Sequence, residues 1–428
     1  MRVTEDDLYR QSTQYKHWSF TPSRLSELRQ KTNAHAAAQV KLHIAGDRAE
    51  RAKRATREAS SAPESGADTP NGNGTGTGAN TPTPGGDVDC LTMDEEKMVV
   101  DKFCETAMKL GDFLKLQPDV TATAIQFMRR FYLYNSPMTY DGNKIAKTAF
   151  FLALKLELGT RAGSASDFAS RLPKTSRDDI VAPEYTIVQA LRFNFEVRHP
   201  FRGLKGVHLE LEDLVRGTYA APAQHGRTPE ALQAAALQAL EVSSPDDAVL
   251  KLGNIYAHAK DILAMAAQLT DAYFLYTPSQ ILLAAHLLAA PAITELYLTT
   301  KVPASAPAYP QIIGTIKSCT DLLSGHRSYS KNPVAEKLAW ADTDPPATKK
   351  AMKKLKSCKD PLTQDLVALN AGKKRDVVRD GSLEESKAKR RKLNRERAEQ
   401  ESDAFWGPEL RGGSAQPQRD GSEPKKEG

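Results

Sequence analysis

The run Ile281–Ala290, ILLAAHLLAA, is apolar on every side of a helix. A helix of that kind has no face to give to water, so it exists only where other elements enclose it. It is too short to cross a bilayer, which takes about twenty apolar residues. A start signal precedes it. In Thr277-Pro278-Ser279-Gln280 the threonine caps, the proline fits the first helical position and the glutamine reaches back to the cap. An earlier segment has a related design. A helix beginning near Asp141 places Ile145, Ala149, Leu152, Ala153 and Leu156 on one face. Ile281, Ala285 and Ala289 echo Ile145, Ala149 and Ala153, and the small residues let a neighbouring helix approach closely. The echo is weak but suggests two copies of one helical unit.

The rest of the chain fits an all-α protein with polar additions. Thr21-Pro22 reads as a helix start, and the Ala-, Arg-, Glu-, Lys- and Gln-rich sequence to about Arg57 continues it. Leu25 and Leu28 give that helix little apolar face, so it packs weakly or on one side. The stretch PNGNGTGTGANTPTPGG has no large apolar residue to offset its ordering entropy and reads as disordered. After Pro118, Val120, Ala124, Phe127, Met128 and Phe131 recur at helical spacing, with Arg129 and Arg130 partly off the stripe. A turn is expected at Asn135-Ser136-Pro137, then a helix from about Asp179 to Phe193 with Ile187, Val188 and Leu191 inward. Ile255, Ile262, Leu263 and Leu269 mark one helix of the second block. The expected organisation is an N-terminal helical extension over 1–58, a disordered insertion over 59–89 and helical units over 90–199 and 200–328. Within the second unit, 220–247 reads as a variable surface insertion, and 329–428 as a C-terminal helix and a basic disordered tail.

Catalytic signatures are not found. There is no P-loop, no HExxH and no kinase signature set, and the glycines near Gly72 lie in low-complexity sequence rather than between a strand and a helix. Cys90, Cys104, Cys319 and Cys358 lack zinc-knuckle spacing, and the histidines are scattered. His286, inside the apolar helix, reads as a hydrogen-bonded core residue. No catalytic residue, cofactor or metal is therefore expected. A net charge of +6 over 428 residues does not by itself indicate nucleic-acid binding. With no signal-peptide core or membrane span apparent, the chain is expected to be soluble and intracellular.

The segments FMRRFYLYNSPM (Phe127 to Met138) and TAFFLALKLE (Thr148 to Glu157) resemble the cyclin box. KHWSF (Lys16 to Phe20) and LTDAYFLYTPSQ (Leu269 to Gln280), in the same order, resemble the transcription-type members of the cyclin family. The resemblance covers roughly Gln11 to Val40 and Leu91 to Arg327. It implies two tandem five-helix cyclin boxes with flanking helices, and a non-catalytic subunit that activates a cyclin-dependent kinase. It also implies a RING-finger assembly subunit of the CDK-activating kinase and the TFIIH core as partners. The implied setting is the nucleus and transcription by RNA polymerase II, with no membrane and no direct nucleic-acid contact.

The implied kinase-binding residues are Lys155 and Glu184, with Phe151 one helical turn before the lysine as an apolar anchor or a core residue. Without the resemblance, solvated surface charges are the ordinary reading of such a pair. Leu158 stands where the family often has a second acidic residue, and Pro183, tolerated only in the first helical turn, implies that the fifth helix starts later than the family pattern. The docking motif MRAIL of cell-cycle cyclins is missing around Glu95 to Leu116, and the first sixty residues hold no RxxL signal. The cluster KAKRRKLNRER (Lys387 to Arg397) is expected to be an import signal. Two alternatives share much of this pattern: a cyclin of the elongation or Mediator kinases, and a TFIIB-like promoter-binding factor.

Overall fold

A computed structural model describes residues 5–60, 88–219, 227–331, 340, 343–363 and 365–370. Nearly all of them belong to one compact body, Met1–Val367; the separate C-terminal part, Ala368–Gly428, lies almost wholly outside the described residues. So do the low-complexity stretch and the basic cluster at 387–397.

The N-terminal part is α1 (Glu5–Gln11), α2 (Thr13–Trp18) and the long α3 (Pro22–Ser60). Thr21 starts α3 as expected: its Oγ1 accepts from the Arg24 amide at 3.3 Å. Leu25, Ala36 and Val40 are buried on one side while most other positions face solvent, which is the one-sided packing its sparse apolar pattern implies.

The first helical unit is α4 (Met93–Phe113), α5 (Pro118–Phe131), α6 (Gly142–Leu158), the short α7 (Ala165–Ser170) and α8 (Arg177–Val181), and α9 (Glu184–Ala190). Thr92 and Glu95 form a reciprocal cap on α4, and Asp141 caps α6. Ile145, Ala149 and Ala153 are fully buried, so α5 can lie close against α6. The helix expected from Asp179 to Phe193 is two helices. Pro183 has no amide hydrogen to donate into a continuous helix, so α8 ends before it and α9 starts directly after it.

The second unit runs through α10 (Phe201–Arg216), α11 (Pro229–Ala239), α12 (Pro245–Ala264), α13 (Ala266–Leu269), α14 (Ala272–Leu275), α15 (Pro278–Ala289), α16 (Pro291–Lys301) and α17 (Tyr309–Ser324). The run ILLAAHLLAA is α15, enclosed by α12 and α17, with Ile281, Ala284 and Ala285 fully buried. The Thr277–Gln280 cap is present in both directions. Buried His286 shares a 2.7 Å hydrogen bond with Thr294. Part of the segment read as a surface insertion is instead α11, whose Leu232 and Ala236 enter the core. Helical spacing in PEALQAAALQA supplies that face despite its Ala- and Gln-rich composition.

The final element, α18 (Pro346–Ser357), packs back on α4 and buries Ala351 and Leu355 in the first core. Asp360, buried just after it, accepts from His43 on α3, and its amide donates to Met138. The α3 helix and the segment after α18 thus meet on the first helical unit. Among the described residues no strand occurs and no helix is long and apolar enough to cross a membrane.

Candidate partner-binding face

The arginines read as partly off the α5 stripe are both buried, at 3% and 2% exposure. Each earns its place with partners from another part of the chain. Arg129 donates to Asp101 at 3.0 Å, to the Leu269 carbonyl at 3.1 Å and to Asp271 at 2.7 Å; Arg29 grips the same Asp271 with two bonds of 2.9 and 2.6 Å. Burial raises the Asp271 carboxyl, but the hydrogen bonds from Arg29 and the two arginine charges outweigh it and hold the group far below the usual range. Arg130 lies under the Trp18 ring at 4.9 Å and donates to the Glu196 carbonyl at 2.9 Å. Phe20 pairs with Phe274 through a 2.8 Å backbone bond and an edge-on ring contact. The motifs KHWSF, FMRRF and LTDAYF, far apart in sequence, therefore meet in one seam.

Phe151, Lys155 and Glu184 meet where the end of α6 faces the start of α9. Lys155 stands in the last turn of α6 and Glu184 in the first turn of α9, where the helix dipoles favour a cation and an anion respectively. Their side chains form an ion pair, with the Lys155 ammonium 4.7 Å above the Phe151 ring. The pair is partly solvated, at 39% and 25% side-chain exposure, so it contributes little to stability and its atoms stay available. Phe151 is only 5% exposed and packs on Phe168, so it is a core residue that supports the lysine from below. Thr148 on α6 donates to the Ile180 carbonyl of α8 at 2.8 Å, which holds the α8–α9 corner against α6.

Leu156, expected inside, is 48% exposed. Lys155, Leu156 and Glu157 are all exposed, so the apolar stripe outruns its cover at Leu156 in the last turn of α6. Tyr185 beside Glu184 is 65% exposed, and Phe193 after α9 is 64% exposed. Arg192 and Phe193 both have positive φ, 53° and 57°, a conformation that costs a non-glycine residue about 1–3 kcal/mol. Periodicity gives no warning of these apolar groups, because their exposure depends on where the neighbouring helices end. Among the described residues no cluster suited to a metal ion occurs.

A family model for the cyclin C-terminal domain matches residues 199–324. Cyclin CCL1 of Saccharomyces cerevisiae is 30% identical over 313 residues, which is 73% of this chain and 66% of that protein. A putative cyclin-H of Dictyostelium discoideum is 32% identical over 130 residues, 30% of this chain and 44% of that one. The chain thus spans somewhat less than two thirds of the first relative's length and under half of the second's. A chain in the structure of the CAK complex from Chaetomium thermophilum bound to ATP-gamma-S aligns with TM-score 0.65 at 29% identity, covering 89% of this chain and 98% of that one. Two helical units joined by a buried arginine seam, together with these matches, place the chain in the cyclin family. Within that family it closely resembles cyclin H.

Proposed function

We propose that this chain binds and activates a cyclin-dependent kinase through the exposed end of α6 and the start of α9. The observation that carries the reading is the preformed pair Lys155–Glu184, set on two helices, with the exposed Leu156 and Tyr185 next to its two members in sequence. A kinase is active only when its C-helix glutamate pairs with its strand lysine. A rigid surface that binds only the inward position of that helix shifts the population towards the active form. Taking such an equilibrium from 1:99 to 99:1 requires about 5.5 kcal/mol of differential binding. Lys155 and Glu184 exchange their solvated contact for hydrogen bonds to kinase backbone, and the exposed Leu156 and Tyr185 supply apolar area to bury. Phe151 acts through Lys155 rather than as a direct anchor.

The kinase reading extends to a CDK-activating assembly with a RING-finger subunit, working in the nucleus on the RNA polymerase II tail and attached to the TFIIH core. Its support is the likeness to CCL1 and to a chain of the Chaetomium CAK complex. The family assignment favours it over the promoter-factor alternative. The test is a kinase assay on RNA polymerase II tail peptide with the partner kinase alone, with this chain, and with a Lys155→Ala/Glu184→Ala variant. Phosphorylation stimulated by the chain and largely lost with the variant, at unchanged helicity, supports the reading. A kinase equally active without the chain refutes it.

A further inference from the structure

An unbroken hydrogen-bond chain joins the second helical unit to α6. The Gln268 Nε2 group donates to the Leu263 carbonyl at 3.2 Å and to the Tyr273 hydroxyl at 2.7 Å, while its Oε1 accepts from Gln126 at 3.0 Å. Tyr273 meets Nδ1 of His199 at 2.9 Å; Nε2 of His199 meets the Thr123 hydroxyl at 2.8 Å; Thr123 meets the Glu157 carboxylate at 2.8 Å. Glu157 stands two positions beyond Lys155 on α6.

The two ends of this chain leave no freedom in its middle. A backbone carbonyl only accepts, so the Gln268 amide is oriented with its nitrogen towards Leu263 and Tyr273. The Tyr273 oxygen then accepts from Gln268, and its single hydrogen goes to Nδ1 of His199. At the other end a carboxylate only accepts, so the Thr123 hydrogen goes to Glu157 and its oxygen accepts from Nε2 of His199. Both constraints give the same state of the imidazole: neutral, with the proton on Nε2. A second proton on the ring would leave two donors, O–H and Nδ1–H, facing each other. Burial and then the Arg130 charge push the group down to about 3, in agreement with that state.

We propose that His199, locked as its Nε2–H tautomer, is a positioning residue for the partner-binding face, passing the placement of the second unit through Thr123 to Glu157 and the last turn of α6. This rests on the kinase reading above, and it assigns the second unit a part in a contact made by the first.

The test uses the full chain, labelled with nitrogen-15 at histidine, and two variants that remove one hydroxyl each, Tyr273→Phe and Thr123→Val. The expected spectrum of His199 has a pyrrole-like Nε2 and a pyridine-like Nδ1, with no titration between pH 8 and 5. Both variants are expected to weaken kinase affinity about tenfold, within the range typical of coupling between sites, and Tyr273→Phe is expected to let the His199 tautomers mix. Thr123→Ser, which restores the hydroxyl, is expected to recover most of the affinity. An Nδ1–H tautomer, or titration near the ordinary histidine value, overturns the proposal. So does variant affinity within twofold of the unaltered chain while Lys155→Ala still weakens binding. If Lys155→Ala has no effect either, the kinase reading itself has failed.

Discussion

Replacing Asp271 with asparagine keeps the shape of the seam and removes only its shared negative charge. The side chain is 13% exposed and holds two arginines, of which Arg129 is 3% exposed and Arg29 is 19% exposed. Breaking a buried ion pair from one side costs about 3–5 kcal/mol, because the abandoned charge stays buried. Arg129 keeps Asp101 and the Leu269 carbonyl, and Arg29 can turn towards water, so the low end of that range, about 3 kcal/mol, applies here. At a urea dependence of roughly 3 kcal/mol per molar, the midpoint falls by about 1 M with the slope unchanged. The Asp271 carboxyl is held low in the folded state, so its contribution is present above the unfolded value near 4 and is lost as pH falls through the folded one. The difference between variant and wild type is therefore expected to be flat from pH 7 to 5. The assay is urea unfolding followed by circular dichroism. A loss below about 0.5 kcal/mol, or a cost that grows between pH 7 and 5, would refute the view that this carboxylate joins α3, α5 and the second unit.

A methyl group on Gly142 would run into the Phe103 ring, and that ring is itself buried, so Gly142→Ala is expected to destabilise by about 1–3 kcal/mol in the same unfolding assay. Burial, then the nearby His208, lowers His286 to about 4 from an ordinary value near 6.5. The unfolded state therefore binds the extra proton first, and stability drops as pH falls from 6.5 towards 4. One such group is worth roughly 2 kcal/mol at pH 5, and replacing it with asparagine should flatten the measured pH slope by about one proton. Thr277→Ala removes the cap of α15 and is expected to cost about 1 kcal/mol, read as a lower melting temperature.

Much of the scaffold is legible in the sequence because it follows from local rules. The stripe of α5, the Thr277–Gln280 cap and the small residues of α6 report their roles through spacing alone, and Pro183 marks the start of α9. What is not legible depends on contacts between distant segments. Arg129 and Arg130 belong to residue types that are seldom buried, and only the meeting of α5 with Asp101, Asp271 and Trp18 makes their burial affordable. Leu156 continues a correct apolar stripe past the point where neighbours cover it. Within the candidate site, Lys155 and Glu184 carry no local signal of pairing; the family resemblance brings them forward, and the fold brings them into contact. The resemblance does not mark Tyr185, whose prominence comes from its exposure beside the pair. His199 and Thr123 look unremarkable singly, since a hydrogen-bond chain across two units has no sequence period.

The most direct test of the central claim is a calorimetric titration of the partner kinase with this chain and with the Lys155→Ala/Glu184→Ala variant, both shown to be folded. Tight binding by the unaltered chain, weakened by the variant at least a hundredfold, is the predicted result, equivalent to about 2.7 kcal/mol. Equal affinity for the two proteins would place the kinase contact elsewhere and contradict the account.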